Sequence, residues 1–202
     1  MSQRAFRRYP AIAAALCAAL LLASAASVNA QSKAIKRNAI YRDAPVEVAE
    51  LRVKDQTVAF DEAFEAGPEW LKDVSLKIRN SSETNIVCIW VKVVFHETTP
   101  HPSQHLIIVG QPTNTASIRD RRPLELKPGE VLRLSLADEY KELKTLVEHS
   151  MAVESVSRLN LEVDRAYFDD GTMWDMGGTY RPDPERPGKW ILVRQGVVLP
   201  PR

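Results

Sequence analysis

The chain has 202 residues, 45% hydrophobic and 26% charged, with 27 lysines and arginines against 26 aspartates and glutamates and a formal charge of +1. That balance excludes the basic surplus expected of a nucleic-acid or anionic-membrane binder. The two cysteines, Cys17 and Cys88, fall on opposite sides of an expected cleavage point, which excludes an internal disulfide framework in the processed protein.

Residues 1–30 read as an export signal. Arg4, Arg7 and Arg8 form its basic start, Ala11 to Ala23 an almost unbroken apolar run, and Val28-Asn29-Ala30 a cleavage motif of short residues. An uncleaved anchor is the alternative, but the run falls short of the roughly 20 apolar residues that span a bilayer. Bulky Leu16 ahead of Cys17 argues against lipid attachment. Cleavage before Gln31 leaves about 172 residues, enough for one domain with its own core, carrying 24 basic and 26 acidic residues, or −2.

Residues 31–45 mix small, polar and basic types without period and read as a flexible linker, with the folded domain beginning near Val46. Strands are predicted over Val46 to Val53 and around Thr57 to Phe64. Val74 to Arg79 alternates strictly, so one face is buried and the other wet. A polar turn, Asn80 to Asn85, then leads to a paired strand from Ile86 to Phe95. That strand is apolar on both faces apart from Lys92, which predicts a central position.

A short apolar run comes next, from His105 to Val109. Lys127-Pro128-Gly129-Glu130 has the residues of a tight turn, followed by alternating Leu132, Leu134 and Leu136. Asp138 is placed to cap the one predicted helix, running to about His149 with Leu143 and Val147 on its apolar stripe. Leu159, Leu161 and Val163 alternate again, and Asp169-Asp170-Gly171-Thr172 closes a hairpin whose return strand holds Met173 and Trp174. Gly177-Gly178 and a proline-rich stretch over 181–188 break the chain after that strand. Trp190-Ile191-Leu192 is a last apolar anchor, and the tail over 196–202 reads as irregular.

Many short strands, one helix and no βαβ rhythm predict a mainly all-β fold, an antiparallel immunoglobulin-like β-sandwich over 46–195. The run Leu71 to Phe95 with its Asn-Ser turn, together with Leu126 to Glu130, resembles immunoglobulin-like or fibronectin type III-like modules of secreted bacterial proteins. Phe168 to Trp174, Tyr180 to Pro184 and Lys189-Trp190 resemble a tail found in uncharacterised secreted proteins of that kind. The resemblance implies a fold and no activity.

Catalytic signatures are missing: there is no Gly-x-Ser-x-Gly elbow or glycine-rich phosphate loop, and Cys88 lies within an apolar strand. His96, His101 and His105, beside Glu97, offer zinc or copper ligands, but the Glu97-to-His101 spacing and Pro100 and Pro102 oppose a zincin helix. Asp169, Asp170 and Asp175 lack the periodicity of a calcium loop. Trp70, Trp174 and Trp190, at strand ends, are candidate sugar-stacking platforms, with Trp90 in the core.

The expectation is therefore an exported, non-catalytic binding or structural module of the bacterial envelope, periplasmic or secreted, requiring no cofactor. Its partner would be an envelope protein or peptide, with neither nucleic acid nor stable membrane insertion after cleavage. Candidate contact residues are Arg119, Arg121 and Arg122 on one loop and Asp169, Asp170 and Trp174 at the late hairpin. A metal-binding or hydrolytic enzyme built on His96, His101 and His105, and a glycan-binding module, stay open as alternatives.

Overall fold

The computed structural model describes residues 31–37, 40–112 and 124–199; the expected signal, 1–30, lies outside them. The strands are β1 (Gln31–Lys36), β2 (Ile40–Tyr41), β3 (Val46–Val53), β4 (Gln56–Thr57), β5 (Ala63–Ala66), β6 (Val74–Asn80), β7 (Ile86–Phe95), β8 (Ser103–Gly110), β9 (Val131–Ser135), β10 (Arg158–Phe168), β11 (Met173–Asp175), β12 (Gly178–Pro182), β13 (Trp190–Gln195) and β14 (Val198–Leu199). A single α-helix, α1, spans Tyr140–Glu148.

The fold is an all-β sandwich, mainly antiparallel. A sheet of four strands, in the order β4-β3-β6-β9, packs on a sheet of eight that contains β7 and β10, and β2 pairs with β14 as a separate ribbon. Between the two layers lie Leu51, Leu76, Ile78 and Leu134 from one sheet and Ile35, Ile89, Val91, Val93 and Phe95 from the other. Alternation decides the facing: on β6 Val74, Leu76 and Ile78 are buried while Ser75, Lys77 and Arg79 point outward. Leu143 and Val147 of α1 close the same core.

β7 is central, as its two apolar faces predict, but its partners are β8 and β10. The expected pairing of Val74–Arg79 with Ile86–Phe95 does not occur; β6 lies in the other sheet, between β3 and β9. Asn80 is the cause. Fully buried, it donates through Nδ2 to the carbonyls of Thr84 (2.9 Å) and Leu126 (2.8 Å) and accepts at Oδ1 from the Ser82 N–H, turning the chain from one sheet to the other. The Lys127–Glu130 turn crosses in the same way, with Leu126 bridging to Ile86 before β9 joins β6.

Three further boundaries differ from the sequence reading. The expected linker contains β1, which pairs in parallel with β10 and antiparallel with β5. Its pattern is hidden because Lys33, which shares a strand face with Ile35, is itself buried. The Thr57-to-Phe64 strand is two short strands, since Lys54 and Asp61 take positive φ angles and the segment crosses from β3 to β1. In the tail, β14 pairs with β2, so ordered structure extends past Gln195. Asp138 is not the helix cap: α1 starts at Tyr140 after a turn, and Glu139 at the cap position makes no capping hydrogen bond because its carboxylate meets His105.

Candidate functional site

β10 organises the site because one of its edges is shared. On one side it pairs with β7 from Asn160 to Phe168. On the other it carries β1 at residues 158–160 and β11 at residues 165–167, so the sheet forks there. Among the described residues no strand pairs with that edge between Asn160 and Arg165. A register shift between Val163 and Arg165 marks the same place.

A cleft of about 1030 Å³ opens at the fork, with Leu161, Glu162 and Val163 of β10 in its lining. Tyr41 of β2 fills part of the gap, its ring edge-on to Trp174 at 5.6 Å. The ring lies against Gly177, where a Cβ would collide with it and φ is +92°. Gly196 crosses Gly177 just as closely, donating to its carbonyl at 2.5 Å. A glycine is required at each side of this crossing, so the Gly177-Gly178 pair is more than punctuation.

The rim of the cleft is polar. Arg194 of β13 pairs with Asp43 at 2.8 Å, and Arg37 lies over the Phe60 ring at 4.3 Å. On the late hairpin Asp170 Oδ1 accepts from the Thr172 N–H (2.8 Å) and hydroxyl (2.7 Å), with Gly171 at φ +82°. Asp169 is engaged elsewhere: it accepts from Asn85 Nδ2 at 2.8 Å, tying the hairpin to the Asn80–Asn85 turn. Of the candidates read from sequence, Asp170 and Trp174 line the cleft. Arg119, Arg121 and Arg122 lie outside the described residues.

Charges are paired beneath this site. Lys92 of β7 reaches Glu162 Oε1 at 2.8 Å and Asp164 Oδ1 at 2.5 Å. Burial opposes its charge, yet the hydrogen bonds to Asp164 and Glu162 outweigh it and hold the ammonium above the usual lysine range. Arg165 pairs with Asp175 at 2.7 Å and stacks on Trp90 at 4.5 Å. Burial pushes the Tyr41 phenol up, and the nearby charges of Glu162 and Asp175 add to it, so this tyrosine is neutral and available as a hydroxyl at ordinary pH.

The histidines are arranged differently. His96 and His101 are exposed in the turn after β7, and His105 on β8 pairs with Glu139 at 3.0 Å. Glu97 accepts from the Ser157 hydroxyl, the Ser157 N–H and the Arg158 N–H, which commits both oxygens to the chain. Among the described residues no group of three His, Cys, Asp or Glu side chains converges to hold a metal ion. Of the three stacking-platform candidates Trp70 and Trp174 are buried, the former donating to the Val156 carbonyl at 3.0 Å, while Trp190 is partly exposed, as is Trp90.

Tyr41, Asp43, Glu162, Gly177 and Arg194 were not legible as site residues. Lys92 gave a signal, since one charge inside an apolar strand calls for a partner, and Glu162 and Asp164 recur on the polar parity of β10. No helix among the described residues is long and apolar enough to cross a membrane. No family model matches the chain, and no curated protein or solved structure matches it either.

Proposed function

We propose that the protein is an exported binding module of the cell envelope, an immunoglobulin-like sandwich that takes an extended protein segment in the cleft at the fork of β10. The carrying observation is the coincidence there of an open cleft, a strand edge without a strand partner among the described residues, and a mixed lining of aromatic, cationic and hydroxyl groups. An extended segment satisfies main-chain groups by strand addition and places alternate side chains in pockets, which suits such an edge. The basic start, apolar run and cleavage motif of residues 1–30 support the export half of this reading.

Capture from the native envelope tests it. The purified protein, crosslinked to envelope components, is expected to retain one reproducible protein partner. That partner should be lost on Thr179→Arg, which crowds the cleft, and reduced on Asp170→Ala. Alanine at Arg119, Arg121 and Arg122 tests the remaining candidate loop. Capture that survives all of these changes overturns the assignment.

A further inference from the structure

The two arms of the forked sheet end differently. Among the described residues β13 pairs with β12 alone, and one edge of Trp190–Gln195 is open. Such an edge is a template for another strand unless charge, proline or a covering element protects it. Here Leu192 is 47% and Val193 59% exposed, and with Met176, Val197 and Val198 this corner holds five of the seven large exposed hydrophobic side chains of the described residues. Its charge is net positive: Arg181 on β12 and Lys189 just before β13 enter no ion pair among the described residues, against one such carboxylate, Glu185, while Arg194 on β13 is paired with Asp43.

β5 ends the other arm and pairs with β1 alone among the described residues. Its exposed flank is acidic. Glu62 and Glu65 are exposed and enter no ion pair among the described residues, while Asp61 is shared with Lys36 at 3.4 Å. One sheet therefore offers a basic, apolar open edge and an acidic open edge.

We propose that β13 of one copy adds to β5 of a second copy of this chain, head to tail. The apolar residues of β13 supply the attraction and the charges select the edge, since β5 offers the unpaired carboxylates of Glu62 and Glu65 to Arg181 and Lys189, whereas a second β13 offers the same cations again. The contact is heterologous, so association continues into short open chains or closes as a ring. Only four residues of β5 are available, which makes it weak, dependent on concentration and weakened by salt.

Sedimentation velocity on the purified protein over a concentration series at low salt tests this. Association is expected, at least tenfold weaker in 0.5 M salt. Glu62→Lys/Glu65→Lys and Arg181→Glu/Lys189→Glu should each be monomeric alone, and an equimolar mixture should associate again, because each variant then offers an edge complementary to the other. Circular dichroism checks that both variants are folded. A parent that is monomeric throughout overturns the proposal. So does association that persists in both charge variants, or association lost on Val193→Lys but kept in Glu62→Lys/Glu65→Lys.

Discussion

The two faces of β7 are built on different rules. Toward the other sheet, Ile89, Val91, Val93 and Phe95 are at most 1% exposed and belong to the inter-sheet hydrophobic core. On the opposite face Cys88 joins a small cluster with Tyr167 and Met173, Trp90 lies under Arg165, and Lys92 ties two carboxylates of β10. The first face is specified by area and shape, so many apolar residues would serve. The second is specified by named partners, which tie β7 to β10 and β10 to β11 beside the cleft.

The largest expected effect breaks the first face: Phe95→Ala should cost about 4 kcal/mol by removing a fully buried ring, measured by chemical denaturation. Lys92→Met should cost about 2–3 kcal/mol at neutral pH, because Glu162 and Asp164 are left largely buried without their cation. The double variant Lys92→Met/Glu162→Gln should recover part of that loss. If it recovers nothing, the charges on this face are not coupled.

Gly177→Ala perturbs the packing at the cleft. The new methyl meets the Tyr41 ring at a residue already in the left-handed region, so a loss of about 1–2 kcal/mol is expected together with a change in tyrosine or tryptophan fluorescence as Tyr41 leaves Trp174. A stable variant with unaltered fluorescence would show that Tyr41 is not held by Gly177.

The smallest effect concerns Lys33, the charge that breaks the rule of the inner positions. It is 1% exposed and donates to the Val156 carbonyl (2.6 Å) and Gln31 (2.7 Å), and it enters no ion pair among the described residues. Burial holds its amine below the ordinary lysine value, with the charge of Glu97 opposing. The unfolded chain then binds that proton more tightly than the native state does. Stability attributable to this site rises as pH climbs from the lowered native value toward about 10.4, the ordinary lysine value. Lys33→Met should change stability by about 1 kcal/mol at pH 7, and thermal melts should show the parent gaining on the variant up to about pH 10. A gap independent of pH contradicts the assignment.

Sequence patterning revealed β3, β6, β7 and β10 because their apolar residues recur mostly at a spacing of two, and the hairpin at Asp170-Gly171 because its turn chemistry is local. It did not reveal which strands pair. The β6–β7 connection depends on a hydrogen bond from Asn80 to Leu126, 46 residues away, and an Asn-Ser turn looks the same in a hairpin and in a crossover. β1 was hidden by Lys33, whose burial is made tolerable by carbonyls of residues 154 and 156. Part of the candidate site was legible for the same reason as the hairpin: Asp170 and Trp174 sit on it. Tyr41 and Arg194 come from segments more than 150 residues apart and share the cleft through the β2–β14 ribbon, the Arg194–Asp43 pair and the Gly177–Gly196 crossing.

A photo-crosslinking residue placed at Glu83, on the cleft, and separately at Lys77, on the outer face of the four-stranded sheet, tests the binding role most directly in the native envelope. One protein is expected to crosslink from position 83 and to be absent from position 77. Equal yields from both positions, or no product from position 83, would contradict the binding role.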